Sequence, residues 1–156
     1  MNEETKKFHT VRGYQLIEQK RNLLTSAMED YLEMIYRNSL VEGYIRMNTL
    51  SELLCVKASS TTKMVQKLTS LGFLNYKKYG IIFLTDIGKE IGKFLLERHQ
   101  IIEEFLSNLG VTENILKETE LIEHNISAST LEKIDLLNHF FEKNADFLKA
   151  YRQFKF

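Results

Sequence analysis

No proline occurs in the 156 residues of this chain, and glycine occurs only seven times. Proline removes a helix hydrogen bond and clashes with the preceding turn. Without it, apolar residues at helical spacing can run on as long helices, and breaks fall to Gly, Ser, Asn and Asp. The pattern predicts a mainly α protein with a small β wing. Residues 1–24 read as a helical extension with a short helix over 14–24, residues 25–92 as a winged helix-turn-helix domain, and residues 93–156 as a second, helical domain.

No apolar run approaches the roughly 18 residues needed to span a bilayer. The first residues, Met1-Asn-Glu-Glu-Thr-Lys-Lys, are polar and lack the apolar stretch of an export signal. A cytoplasmic protein is expected. The single cysteine, Cys55, excludes an internal disulfide, and its place in Leu53-Leu54-Cys55-Val56 marks it as a small core residue of an apolar helix.

Formal net charge is zero, but the charges are segregated. From Leu53 to Thr85 there are five lysines (Lys57, Lys63, Lys67, Lys77, Lys78) and no acid. From Gln100 onward ten carboxylates outnumber the basic residues. A basic segment attracts phosphates and a carboxylate-rich one attracts hard cations.

Thr25 or Ser26 caps a helix running to about Asn38, with Met28, Leu32, Ile35 and Tyr36 as its inner stripe. Asp30 and Glu33, three apart, share one face beside that stripe. After Gly43, Tyr44-Ile-Arg46 reads as a very short strand. A second helix is expected from about Thr49 to Cys55, capped by Asn48 or Thr49. Lys57 to Ser60 reads as the turn, and a third helix from Ser60 to Ser70 buries Met64, Val65, Leu68 and Leu71, ending at Gly72. Two β-prone runs then meet at Lys78-Tyr79-Gly80, the tip of a hairpin.

Two helices across a tight turn followed by a basic hairpin form the winged-helix pattern of DNA-binding proteins. The outward face of the third helix supplies Ser59, Ser60, Thr61, Thr62, Lys63, Gln66 and Lys67, and the wing supplies Lys77, Lys78 and Tyr79. Lys63, Lys67 and Lys77 suit phosphate contacts. Thr61, Thr62 and Gln66 suit base edges. The bland alternative is a solvated polar face.

A long helix capped by Thr85 or Asp86 continues to about Leu109-Gly110, with His99 midway. Glu120, Glu123 and His124, at i, i+3 and i+4, are expected on one helical face. Together with Asp30, Glu33 and His99 they offer four carboxylates and two imidazoles, without thiolates. That donor set suits Mn²⁺, Fe²⁺ or Zn²⁺ and could hold two ions. Spacing alone is weak evidence, because Glu-x-x-Glu-His also occurs on plain exposed helices.

Several separated runs, in order, resemble the diphtheria-toxin-repressor family and its manganese-transport-regulator branch. They are Met28-Glu-Asp-Tyr-Leu-Glu-Met-Ile-Tyr36, Ser59-Ser-Thr-Thr-Lys-Met-Val-Gln-Lys-Leu68, Leu84-Thr-Asp-Ile-Gly-Lys89, His99 with the following Glu-Glu-Phe-Leu106, and Glu120-Leu-Ile-Glu-His124. The resemblance spans about Thr25 to Glu142. It implies a metal-dependent regulator, a repressor of metal-uptake genes, acting as a homodimer on a palindromic double-stranded DNA operator. The second domain would then bind metal and dimerise. It also implies a two-metal site made of Asp30, Glu33, His99, Glu120, Glu123 and His124. Asp30 stands where the iron-sensing branch has a methionine sulfur, and an oxygen ligand there favours Mn²⁺.

Two rival readings remain at this level. One is a winged-helix regulator answering a non-metal signal. The other is a metallohydrolase on the Glu-x-x-Glu-His segment, which has Glu120 where the inverted zinc-protease pattern requires histidine. No catalytic residues are assigned.

Overall fold

The computed structural model describes residues 15, 16, 18, 19 and 23–154. Of the helix expected over 14–24, residues 15, 16, 18 and 19 are helical while Leu23 and Leu24 are not, and the remainder lies outside the described residues. Seven α-helices and one three-stranded antiparallel sheet make up the described part. The chain divides into two compact units, residues 1–96 and 97–156, with the boundary inside a single long helix.

The first unit opens with α1 (Ser26–Ser39). Thr25 caps it by accepting the Met28 backbone N–H at 3.3 Å, and Met28, Tyr31, Leu32 and Ile35 are buried. A two-residue strand, β1 (Ile45–Arg46), leads into α2 (Met47–Leu53), and α3 spans Ala58–Ser70. The wing is β2 (Leu74–Lys77), a 3-10 turn over Lys78–Gly80 and β3 (Ile81–Leu84). Strand order is β1-β3-β2, with Ile45 opposite Ile82 and Tyr76 opposite Ile82 on the far side. Alternation places Ile45, Leu74, Ile82 and Leu84 in the core and leaves Arg46, Asn75, Lys77 and Phe83 on the open face.

Three local expectations need correction. Helix α2 begins at Met47 rather than Thr49, and its N-cap, Arg46, makes no side-chain capping bond. Met47 and Leu50, one turn apart, are both buried, and that burial outweighs the capping preference of Asn48 or Thr49. Helix α3 begins at Ala58 rather than Ser60, so the turn is the segment 54–57 and Ser59 and Ser60 lie in the first helical turn. Cys55 is not in a helix or the core: it is exposed in that turn with φ +54°.

After α3 the chain reverses at Gly72 (φ +84°), where the Phe73 N–H reaches back to the Leu68 carbonyl at 3.0 Å. Thr85 closes the wing, its hydroxyl donating to the Gly72 carbonyl at 2.7 Å and accepting the Gly88 N–H at 3.2 Å as the N-cap of α4 (Asp86–Leu109). Within this unit α4 approaches α1 through Gly92, where a β-carbon would lie 2.6 Å from Tyr36 Cβ and 3.2 Å from the Leu32 carbonyl oxygen.

The second unit comprises the rest of α4, then α5 (Ile115–Glu123), α6 (Ala128–Lys143) and α7 (Ala145–Gln153). Ser127 caps α6 by accepting the Thr130 N–H at 3.3 Å. Buried Asn138 ties α6 to α4, donating to the Ile101 carbonyl at 2.9 Å and accepting from Asn108 at 3.2 Å. Phe140 and Phe147 pack with ring centroids 5.6 Å apart, joining α6 to α7.

Candidate metal centre and nucleic-acid interface

In the second unit the long helix α4 delivers His99 and the end of α5 delivers Glu123 and His124. Glu123 is a carboxylate only 2% exposed, an arrangement that needs charge or hydrogen-bond compensation. Its Oε2 lies 3.0 Å from His99 Nδ1 and its Oε1 lies 3.7 Å from His124 Nε2. Each oxygen of one buried carboxylate therefore faces a different imidazole. His99 Nε2 also lies 3.9 Å from Glu103 Oε2, one turn along α4.

The expectation of three donors on one helical face needs correction here too. Helix α5 ends at Glu123, His124 is its C-cap, and Glu120 is exposed while Glu123 is buried. Glu123 and His124 are sequence neighbours, and His124, although the C-cap, keeps right-handed helical dihedrals (φ −78°, ψ −13°). Buried Arg98, with Nη2 3.4 Å from His124 Nδ1, was not anticipated. A guanidinium only donates, so this contact makes His124 Nδ1 the acceptor. The only signal available was its position next to His99.

In the first unit Asp30 is exposed and Glu33 half-buried on α1, and Glu33 Oε1 accepts from Arg37 at 2.6 Å one turn on. The candidate donors His99, Glu123 and His124 offer carboxylate oxygen and imidazole nitrogen, the chemistry that suits hard to borderline divalent ions. Sulfur is not among them, since the one cysteine lies in the helix-turn-helix turn.

The candidate nucleic-acid face comprises α3 and the wing. Ser59, Ser60, Lys63, Gln66, Lys67, Lys77 and Lys78 are exposed, Thr62 is half-buried, and Tyr79 at the wing tip is 91% exposed with φ +69°. Thr61 departs from this set. It is 0% exposed, with its Oγ1 2.9 Å from Ser51 Oγ and 3.4 Å from the Lys57 carbonyl oxygen, so it cannot reach a base edge. Thr61, Val65 and Leu68 stand at i, i+4 and i+7 and turn inward together, and Met64 and Leu71 are only half-buried. Thr62 donates its hydroxyl to the Ala58 carbonyl at 2.9 Å and keeps only acceptor capacity outward.

Two family models match nearly end to end: "Iron dependent repressor, N-terminal DNA binding domain" over residues 23–82, and "Iron dependent repressor, metal binding and dimerisation domain" over 85–148. The chain belongs to the iron-dependent repressor family. Curated relatives include the HTH-type transcriptional regulator MntR of Oceanobacillus iheyensis, 47% identical over 118 residues covering 74% of this chain and 80% of the relative. The MntR of Bacillus subtilis is 44% identical over 125 residues, covering 79% of this chain and 88% of the relative. Among solved structures, the manganese regulator SloR matches with TM-score 0.65 and 31% identity, and the metal-dependent regulator MtsR with TM-score 0.67 and 29% identity. The match covers 75% of this chain in both cases, and the chain spans about half the length of those structures, 55% of each. The protein is a metal-dependent transcriptional regulator of the diphtheria-toxin-repressor type, not an enzyme, with the family's DNA-binding and dimerisation domains. Among the described residues no helix is long and apolar enough to cross a membrane.

Proposed function

We propose that this protein is a manganese-responsive repressor of metal-uptake genes. It works in the cytoplasm as a homodimer on a palindromic operator. The observation that carries the metal reading is the buried Glu123 carboxylate with one imidazole 3.0 Å from Oε2 and another 3.7 Å from Oε1. His99, Glu123 and His124 would hold the metal from the second unit, Glu120 would join them, and Asp30 and Glu33 would complete the set from α1, making room for two ions per chain. Mn²⁺ is favoured over Fe²⁺ or Zn²⁺ because oxygen donors dominate and none is sulfur. The names of the MntR relatives and of SloR support the same choice.

When bound, the metal supplies positive charge that lets carboxylates from two parts of the chain share one site. The residues do the rest. Asp30 and Glu33 belong to the DNA-binding unit, so their engagement makes the aligned arrangement the one that binds metal better, the only way a ligand shifts a conformational equilibrium. Aligned recognition helices of a dimer must meet successive major grooves, about 34 to 36 Å apart. There Ser59, Ser60, Thr62 and Gln66 are placed for base edges, and Lys63, Lys67, Lys77, Lys78 and Tyr79 for the backbone and the adjoining groove.

The test is calorimetric titration of metal-stripped protein with Mn²⁺, Fe²⁺ and Zn²⁺, for wild type and Glu123→Ala. Saturable Mn²⁺ binding near two ions per chain that collapses in the variant is the expected result. Absence of saturable binding in wild type sinks the metal reading and leaves a DNA binder with another signal.

A further inference from the structure

The open face of the wing sheet carries a row of alternating cations and rings. Arg46 Cζ lies 5.9 Å from the Tyr44 ring centroid, and the Tyr44 and Phe83 rings stand 5.9 Å apart at 50°. Lys77 Nζ lies 4.9 Å from the Phe83 centroid. The register explains the row: Arg46 and Lys77 both stand opposite Ile81, one on each side of the central strand β3. Their backbones are therefore two strand spacings apart, about 10 Å. Phe83 is on the same face as Ile81, two residues along, so its ring lies diagonal to Lys77.

Cations at fully mobile surface positions lose rotamer entropy when they bind a phosphate. A cation resting on a ring face has already lost much of it, while its remaining N–H groups still point to solvent. The local field also favours an anion: Glu52 is the only acid between Tyr44 and Thr85. Both cations are exposed, and both rings are half-buried.

We infer that the open face of the wing sheet is a second contact surface for the DNA backbone, in which Arg46 and Lys77 bind phosphates and the Tyr44–Phe83 ring pair positions them. Arg46 thus joins the DNA-contacting residues although it lies outside both the recognition helix and the wing tip. Tyr44 and Phe83 are positioning residues that touch no DNA themselves. The inference rests on the proposed DNA-binding role and extends it to the third strand of the sheet.

The experiment is fluorescence anisotropy of Mn²⁺-loaded full-length protein on a labelled mixed-sequence duplex of about 30 base pairs, repeated over a range of salt concentrations. Non-specific binding is carried by phosphate contacts and needs no knowledge of the operator. Arg46→Gln is expected to weaken binding roughly 5-fold and to reduce the slope of log K against log salt by about 1 per chain. Phe83→Leu keeps both cations. It is expected to weaken binding by a smaller factor with the salt slope retained, and Phe83→Tyr, which restores a ring, to recover wild-type affinity. A merely structural role for Phe83 would lower the unfolding midpoint without changing DNA affinity in the folded protein. An Arg46→Gln variant with wild-type affinity and slope, alongside a Lys63→Gln variant that loses both, overturns the sheet surface and leaves the recognition helix intact. If Lys63→Gln is also indifferent, the proposed DNA face itself fails.

Discussion

Thr61 illustrates how a polar residue in a basic helix can belong to the core. Its hydroxyl is buried 2.9 Å from Ser51 Oγ, across the turn between α2 and α3, and Ser51 also reaches the Met47 carbonyl at 3.0 Å. The pair links α2 to α3 across the turn. Thr61→Val keeps the shape and removes the hydroxyl, while Ser51 keeps the Met47 carbonyl as acceptor. The loss should be about 1 kcal/mol, the net worth of one such bond. Urea denaturation should show a lower midpoint at unchanged m-value, and anisotropy on DNA should show the same affinity and salt slope as wild type. A variant that changes base preference without losing stability would return Thr61 to the reading face. Glu123 presents the opposite case, a carboxylate 2% exposed beside two imidazoles, which costs stability and which the proposed function reads as a metal ligand. Removing it by Glu123→Ala should abolish Mn²⁺ binding while leaving the metal-free protein folded by circular dichroism.

At the level of elements, α4 packs on α1 through a glycine. The β-carbon of Gly92→Ala would lie 2.6 Å from Tyr36 Cβ, so one of the helices must move. Alanine gains about 1 kcal/mol of helix propensity, against an overpacking cost of about 1 to 3 kcal/mol. A net destabilisation of about 1 kcal/mol is expected in urea, and a stabilised variant would show that the helices yield freely. Helices α1, α3 and α4 were legible because each carries a periodic apolar stripe, whereas residues 93–156 read only as a helical domain, without the bounds of α6 and α7. Thr25 and Thr85 announced two of their starts, and Lys78-Tyr79-Gly80 announced the hairpin. The starts of α2 and α3 were not legible, because they are set by burial of Met47 and Thr61 against partners distant in sequence. Cys55 was misread for the same reason: the apolar run around it continues past the helix end into a left-handed turn. Of the proposed metal donors, His99, Glu123 and His124 could be picked out as residue types, but the convergence of α4 on the end of α5 could not. Neither could Arg98, a tertiary neighbour with no spacing signature. The cation and ring row on the wing was invisible because it depends on the β1-β3-β2 order, which joins strands separated by two helices.

For the whole molecule, the decisive quantity is the coupling between metal and DNA. If Mn²⁺ raises DNA affinity by some factor, DNA must raise Mn²⁺ affinity by that same factor, because the four states form one thermodynamic cycle. A regulator of this design should show a factor of about 5 to 150. A site assembled only on folding makes metal a stabiliser, so at 100 times its Kd it should add up to about 2.7 kcal/mol of stability and raise the thermal midpoint. Both effects should shrink as pH falls into the range where imidazoles protonate, because protons compete with metal for the same nitrogen lone pairs. Calorimetric Mn²⁺ titrations with and without saturating duplex, paired with anisotropy at zero and saturating Mn²⁺, measure the factor from both sides. In Glu123→Ala, which should bind no Mn²⁺, DNA affinity should be the same at zero and saturating Mn²⁺, while the salt-dependent binding expected of Lys63 and Lys67 persists. A wild-type protein that binds Mn²⁺ and DNA with no coupling would separate the two sites and end the gating mechanism, whatever each site does alone.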